Sequence, residues 1–144
     1  MAASDSRQDR LNDDEIVGRR IPPDAPWFQP PDQVTSFNFK LRPGEPGLSV
    51  FRLSLADADA ILSTDKGAIP GSRLAAARVG DIRRLENSKG EPLHLDVVSD
   101  DEEGRNPGHA IVIRTDHDSF SHGVRKALND VFRLLSAGKM EQNQ

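Results

Sequence analysis

His109-Ala110-Ile111-Val112-Ile113-Arg114, followed by Asp116–Ala137 (DHDSFSHGVRKALNDVFRLLSA), decides how this chain folds. The first stretch contains the unbroken apolar run Ala110–Ile113, is the most apolar of the strands read below, and reads as a central strand covered on both faces. In the second, Phe120, Val124, Ala127, Leu128, Val131, Leu134 and Leu135 recur at helical spacing and make one wide apolar stripe. Thr115 or Asp116 can cap the start, Asp116 and Asp118 suit the positive end of the helix dipole, and Gly138 is a natural stop. A buried strand feeding a long amphipathic helix predicts an α+β protein, with the helix of 116–137 packed on one face of a sheet.

Working outward, the other segments alternate like strands. Ile16–Ile21 (IVGRRI) is a short strand, ended by Pro22 and Pro23 because successive prolines remove ladder donors. Val34–Leu41 (VTSFNFKL) places Phe37, Phe39 and Leu41 at period two and reads as a half-buried strand. Pro43-Gly44 and Pro46-Gly47 mark turns before Leu48–Leu55 (LSVFRLSL), which alternates again. Asp57–Ser63 is a short helix capped by Asp57. Arg73–Leu85 (RLAAARVGDIRRL) fits both periods, helix through its alanines and strand through Val79 and Ile82; a strand bent near Gly80 is the expectation. Pro92–Val98 carries Leu93, Leu95 and Val97 at period two and is a further strand. The sum is a mostly antiparallel sheet of about 4–6 strands.

Residues 1–15 (MAASDSRQDRLNDDE) contain almost nothing to bury and are expected to form a mobile arm, as is the tail 139–144. Between them, 16–138 make a single α+β domain. The chain has 144 residues, a length that suits one domain.

Composition excludes several chemistries. With no cysteine, disulfides, thiolate metal sites and cysteine nucleophiles are out. There is no N-terminal apolar run and no stretch long enough to span a membrane, so a cytoplasmic location is expected. The formal net charge of −4 and the scattered basic residues make nucleic acid an unlikely partner. Six Phe, one Trp and no Tyr are too few for a base-stacking platform.

The remaining polar motifs read mostly as ordinary structure. His117 and His122 are five residues apart, about 140° off one helix face, and His94 and His109 lie on separate strands, so no metal site is expected. Ser99–Gly108 holds contiguous acids rather than the alternate ligands of a calcium loop, and reads as a solvated turn. Asp116-His117-Asp118 lacks the upstream histidines of a metal phosphohydrolase. Pro23-Asp24-Ala25-Pro26 has P-x-x-P spacing, but reads as an extended connection pinned by Trp27 and Phe28. No P-loop, dinucleotide-binding glycine motif or serine-hydrolase elbow occurs, and no cofactor is expected.

Read in order, Arg19-Arg20-Ile21-Pro22, Ser36-Phe37-Asn38-Phe39, Leu48-Ser49-Val50, Val79-Gly80-Asp81-Ile82-Arg83 and Asn106-Pro107-Gly108-His109-Ala110 form a series. It resembles a family of small uncharacterised bacterial proteins whose pattern runs R-R-I-P, S-S-x-x-F, L-S-V, a small-residue segment with an Arg, and N-P-A-H-A. The resemblance covers about 17–135; Thr35 stands for the first Ser and Gly108 for the Ala. It implies a domain rather than an activity, with an association to bacterial conflict or toxin-type systems.

Within these motifs Arg20, Ser36, Ser49 and His109 are polar residues beside apolar ones. They either satisfy backbone groups at strand ends or share a pocket. Arg20, Ser36 and His109 are the candidate binding set: a positive fork, a donor–acceptor hydroxyl and a group that changes charge near neutral pH. The Arg and Ser loosely resemble an ADP-ribosyltransferase-type NAD pocket, although its catalytic Glu has no counterpart here: Glu86 and Glu91 fall in a turn. The leading expectation is a non-catalytic binding or accessory protein whose partner is another protein. The alternatives are an NAD- or nucleotide-handling enzyme and a nucleic-acid-contacting protein; no catalytic residue is assigned.

Overall fold

The computed structural model describes residues 9–23, 28–29, 33–41, 44–56, 61–62, 71–100, 108–116 and 119–135. The expectations for the tail 139–144, the P-x-x-P segment, most of the acidic loop and most of the Asp57–Ser63 helix lie outside them.

The chain folds as strands β1 (Ile16–Ile21), β2 (Phe28–Gln29), β3 (Gln33–Val34), β4 (Leu48–Arg52) and β5 (Arg73–Arg78), helix α1 (Val79–Arg83), strands β6 (Leu95–Ser99) and β7 (His109–Arg114), helix α2 (His122–Val131) and strand β8 (Arg133–Leu134). Six strands form one sheet in the order β6-β7-β4-β1-β5-β8, and every pairing is antiparallel. β2 and β3 make a separate two-residue ladder. The α+β class and the antiparallel sheet therefore stand.

Directly opposed residues share a face of a sheet, and alternate residues of a strand change face. On one face lie Val17 and Ile21 of β1, Leu48 and Val50 of β4, Ala75 and Ala77 of β5, Val97 of β6, and Ala110 and Val112 of β7. With Phe39, Phe120, Val124, Leu128 and Phe132 they form the main core. The opposite face carries a smaller cluster, in which Phe51, Leu74 and Ile61 pack with Leu53, Leu62 and Leu135.

Four expectations need correction. The long C-terminal helix is absent. Ser121 caps α2, its hydroxyl accepting from the Val124 N–H at 3.3 Å, so the helix begins at His122 rather than 116. At its other end Phe132 is extended (φ −79°, ψ 130°), and its ring packs 5.2 Å from that of Phe39. Arg133 and Leu134 then pair with Ala76 and Ala75, and the Leu135 N–H donates to the Leu74 carbonyl at 2.8 Å. The outer edge of β5 thus takes a strand where the stripe predicts another turn and a half of helix.

Val34–Leu41 is not one strand. Ser36–Phe39 is a 3₁₀ turn, closed where the backbone N–H and side-chain amide of Asn38 both donate to the Thr35 carbonyl, at 3.2 and 3.0 Å. Asparagine competes for nearby backbone groups in this way and disfavours strands.

The arm expected over 1–15 is docked over its described part. Asp9–Leu11 runs antiparallel along the outer edge of β6: Leu11 N–H donates to the Val97 carbonyl at 3.1 Å, and Ser99 N–H to the Asp9 carbonyl at 2.8 Å. Leu11 is 5% exposed and joins the main core. Asn12–Glu15 then crosses the end of the sheet to β1. This strap also completes α1, which has no side-chain cap: the Val79 and Gly80 N–H groups donate to the Glu15 and Asp13 carbonyls, each at 2.9 Å. Gly80 allows the approach, since a Cβ there would lie 3.0 Å from Cβ of Asp13. The 73–85 segment is accordingly strand β5 followed by helix α1, not one bent strand.

Candidate functional site

The motif-bearing segments meet at the middle of the sheet. Arg19 on β1 donates from Nε to the Asn38 carbonyl at 2.8 Å and from Nη1 to the Ser49 carbonyl at 2.7 Å, tying the 3₁₀ turn to β4. Ser49 in turn meets His109: its Oγ lies 3.1 Å from Nε2 of the imidazole. Ser49 is paired with Ile111, so His109 is its diagonal neighbour on the same face, within side-chain reach.

His109 is 7% exposed, and a buried imidazole needs partners for both nitrogens. Its Nδ1 lies 3.1 Å from Oδ2 of Asp100 and 3.3 Å from the Asp100 carbonyl oxygen. Asp100 follows β6, and its N–H donates to the His109 carbonyl at 2.9 Å, which aligns the two side chains. An ionised carboxylate can only accept, so Nδ1 of the neutral ring carries the hydrogen and Nε2 accepts from the Ser49 hydroxyl. Asp100, His109 and Ser49 thus make a hydrogen-bonded line across β6, β7 and β4.

The line continues through an aromatic contact. Phe51 lies directly opposite His109, its ring centroid 5.7 Å away in an edge-on arrangement. On its other side the Arg20 guanidinium sits 5.6 Å from the Phe51 centroid, a cation–π contact, and donates to the Ile61 carbonyl at 3.2 Å. Gly18, opposite Phe51, carries no side chain between them.

Of the candidate set, Arg20 and His109 share this face and flank Phe51. Ser36 starts the 3₁₀ turn, whose Phe39 belongs to the main core on the opposite face. The hydroxyl that meets His109 is that of Ser49. Asp100 went unnoticed as a site residue because it reads as one of several loop acids; the antiparallel register of β6 and β7, which puts it opposite His109, was the available signal.

A second polar cluster holds the strap. Asp96, 8% exposed, accepts from Nε of Arg83 and Nε of Arg10, each at 2.7 Å, and from the Val97 N–H at 2.8 Å. Burial pushes its carboxyl upward, but these donors outweigh that and hold it below the usual carboxylate value. Arg83 also donates to Asp13 at 2.6 Å, a hydrogen bond that lowers the Asp13 carboxyl. Glu15 accepts from Arg52 at 2.8 and 3.0 Å and from Ser54 at 2.7 Å, and is lowered first by the Arg52 bond. Beside Glu15, a shallow cleft of about 440 Å³ is lined by Asn12, Asp14, Ile16, Leu53 and Ser54.

Among the described residues no three His, Cys, Asp or Glu side chains are placed to hold a metal, and no helix is long and apolar enough to cross a membrane. No protein-family model, curated protein or solved structure matches the chain.

Proposed function

We propose that the chain is a small cytoplasmic binding or accessory protein whose partner is another protein, and that it recognises that partner through the face bearing Arg20, Phe51, His109 and Ser49. One observation carries this reading: four side chains from three strands, distant in sequence, form a continuous contact series around a buried histidine. Burying such polar groups costs stability unless each is paired, and an apolar face would hold the sheet without them. The bacterial conflict or toxin-type setting is the association that the motif order brings.

Two observations favour binding over the alternatives. Asp100, a carboxylate on this face, is directed at His109, whereas an NAD pocket of the ADP-ribosyltransferase type needs one working beside its Arg and Ser. Several arginines that could meet nucleic-acid phosphates, Arg10, Arg52 and Arg83, are engaged with carboxylates of the chain itself.

Affinity capture with the full chain and with Arg20→Gln tests this. The expected result is a stoichiometric protein partner held by the parent chain and lost by the variant at unchanged melting temperature. Capture unaffected by the substitution would move binding to another surface. Saturable thermal stabilisation by NAD or a nucleotide would replace the reading with the enzyme class.

A further inference from the structure

The order carboxylate, imidazole, hydroxyl is that of an activated serine. Three groups could also meet merely to satisfy one another, and two details of this site favour chemistry. The Asp100 carbonyl already lies 3.3 Å from Nδ1 and would suffice as a neutral acceptor, yet the carboxylate also turns to the ring at 3.1 Å. The imidazole is also the buried member of the line: the His109 side chain keeps 9% of its surface and that of Asp100 18%, and Ser49 is half-buried. The base is therefore shielded from water.

We propose that Ser49 is a nucleophile that accepts an acyl group from activated esters, with His109 as its general base and Asp100 as a positioning residue. The Ser49 Oγ forms a bond to the carbonyl carbon of the ester as its proton passes to Nε2 of His109. The bond from that carbon to the leaving oxygen then breaks, and the proton on Nε2 transfers to the leaving oxygen. The products are an acyl ester on Ser49 and a free alcohol or phenol; nothing is oxidised or reduced. Asp100 keeps the ring in the tautomer that presents a lone pair to Ser49 and stabilises the imidazolium formed during transfer. This activity goes beyond the binding reading: it uses the same face but needs no partner.

The test is incubation of the full chain with p-nitrophenyl acetate, following nitrophenolate release and mapping the acetylated peptide by mass spectrometry. The expected result is stoichiometric release with acetyl on Ser49 in the peptide map, and no such release from Ser49→Ala. Asp100→Asn should slow maximal acylation at least about tenfold at an unchanged half-saturating ester concentration. A merely structural Asp100 would instead lower the melting temperature and leave the rate of the folded fraction alone. Acetyl found only on lysines, or release that survives Ser49→Ala, overturns the proposal. If Ser49→Ala fails to fold, the peptide map of the parent chain decides the matter. Failure here leaves partner capture through Arg20 untouched, and loss of capture leaves acylation untouched, so the two readings fail separately.

Discussion

Arg10 and Asp96, 86 positions apart in the chain, meet at 2.7 Å across the outer edge of β6. The contact marks where the N-terminal strap closes the sheet. Arg10 is 68% exposed, so the ion pair itself contributes little. Leu11, its neighbour, lies in the core and contributes far more. Leu11→Ala should therefore cost about 2–5 kcal/mol, and Arg10→Ala less than about 1 kcal/mol. Urea unfolding of the two variants checks this, and similar costs would mean that charge rather than burial holds the strap.

The same cluster predicts acid sensitivity. Asp96, Asp13 and Glu15 titrate lower in the folded protein than in the unfolded chain. Groups shifted that way stabilise the fold above the ordinary carboxylate range, and the stabilisation is lost as pH falls through their lowered values. The urea midpoint should hold steady near neutral pH and drop below about pH 4. Asp96→Asn should be less stable at neutral pH and show a shallower drop. A parent midpoint that does not move in acid would contradict the paired state of these carboxylates.

The short helix α2 gives a third expectation. Leu128, fully buried, should cost about 2–5 kcal/mol as alanine, and Phe132, packed on Phe39, about 3–5 kcal/mol. Lys126→Ala on the exposed side should change stability by under about 0.5 kcal/mol. Backbone chemical shifts of Arg133 and Leu134 should be strand-like; helical shifts would restore the longer helix.

Gly47 provides a fourth. A Cβ there would lie 2.8 Å from the Val112 carbonyl oxygen and 2.9 Å from Cβ of Ile111. Neither neighbour is the far end of a flexible side chain, so Gly47→Ala should cost about 1–3 kcal/mol by forcing β4 from β7. It should also weaken the Ser49–His109 contact, which spans those strands. A neutral effect would show that the turn before β4 relaxes freely.

The strands Ile16–Ile21 and His109–Arg114 were legible to the residue because local alternation and β-branched content agree with their place in the sheet. The end of α2 was not, because Leu134 fits the helical stripe and also, with Phe132, a period-two strand, and the open edge of β5 selects the latter. Asn38 overrode the alternation of Phe37, Phe39 and Leu41 by bonding back to Thr35. The strap was illegible for another reason: its acids and arginines find partners far along the chain, and composition carries no register. Arg20 and His109 could be singled out from their apolar settings, whereas choosing between Ser36 and Ser49 required knowing which strand lies beside His109.

The binding face and the reactive serine both depend on His109 being held between Asp100 and Ser49. ¹⁵N NMR of the histidine side chains near neutral pH tests this most directly. In its neutral form the His109 ring should carry a slowly exchanging hydrogen on Nδ1, and Asp100→Asn should alter this signal while Ser36→Ala does not. An Nε2–H tautomer, or a ring whose protons exchange as fast as those of an exposed histidine, would contradict it.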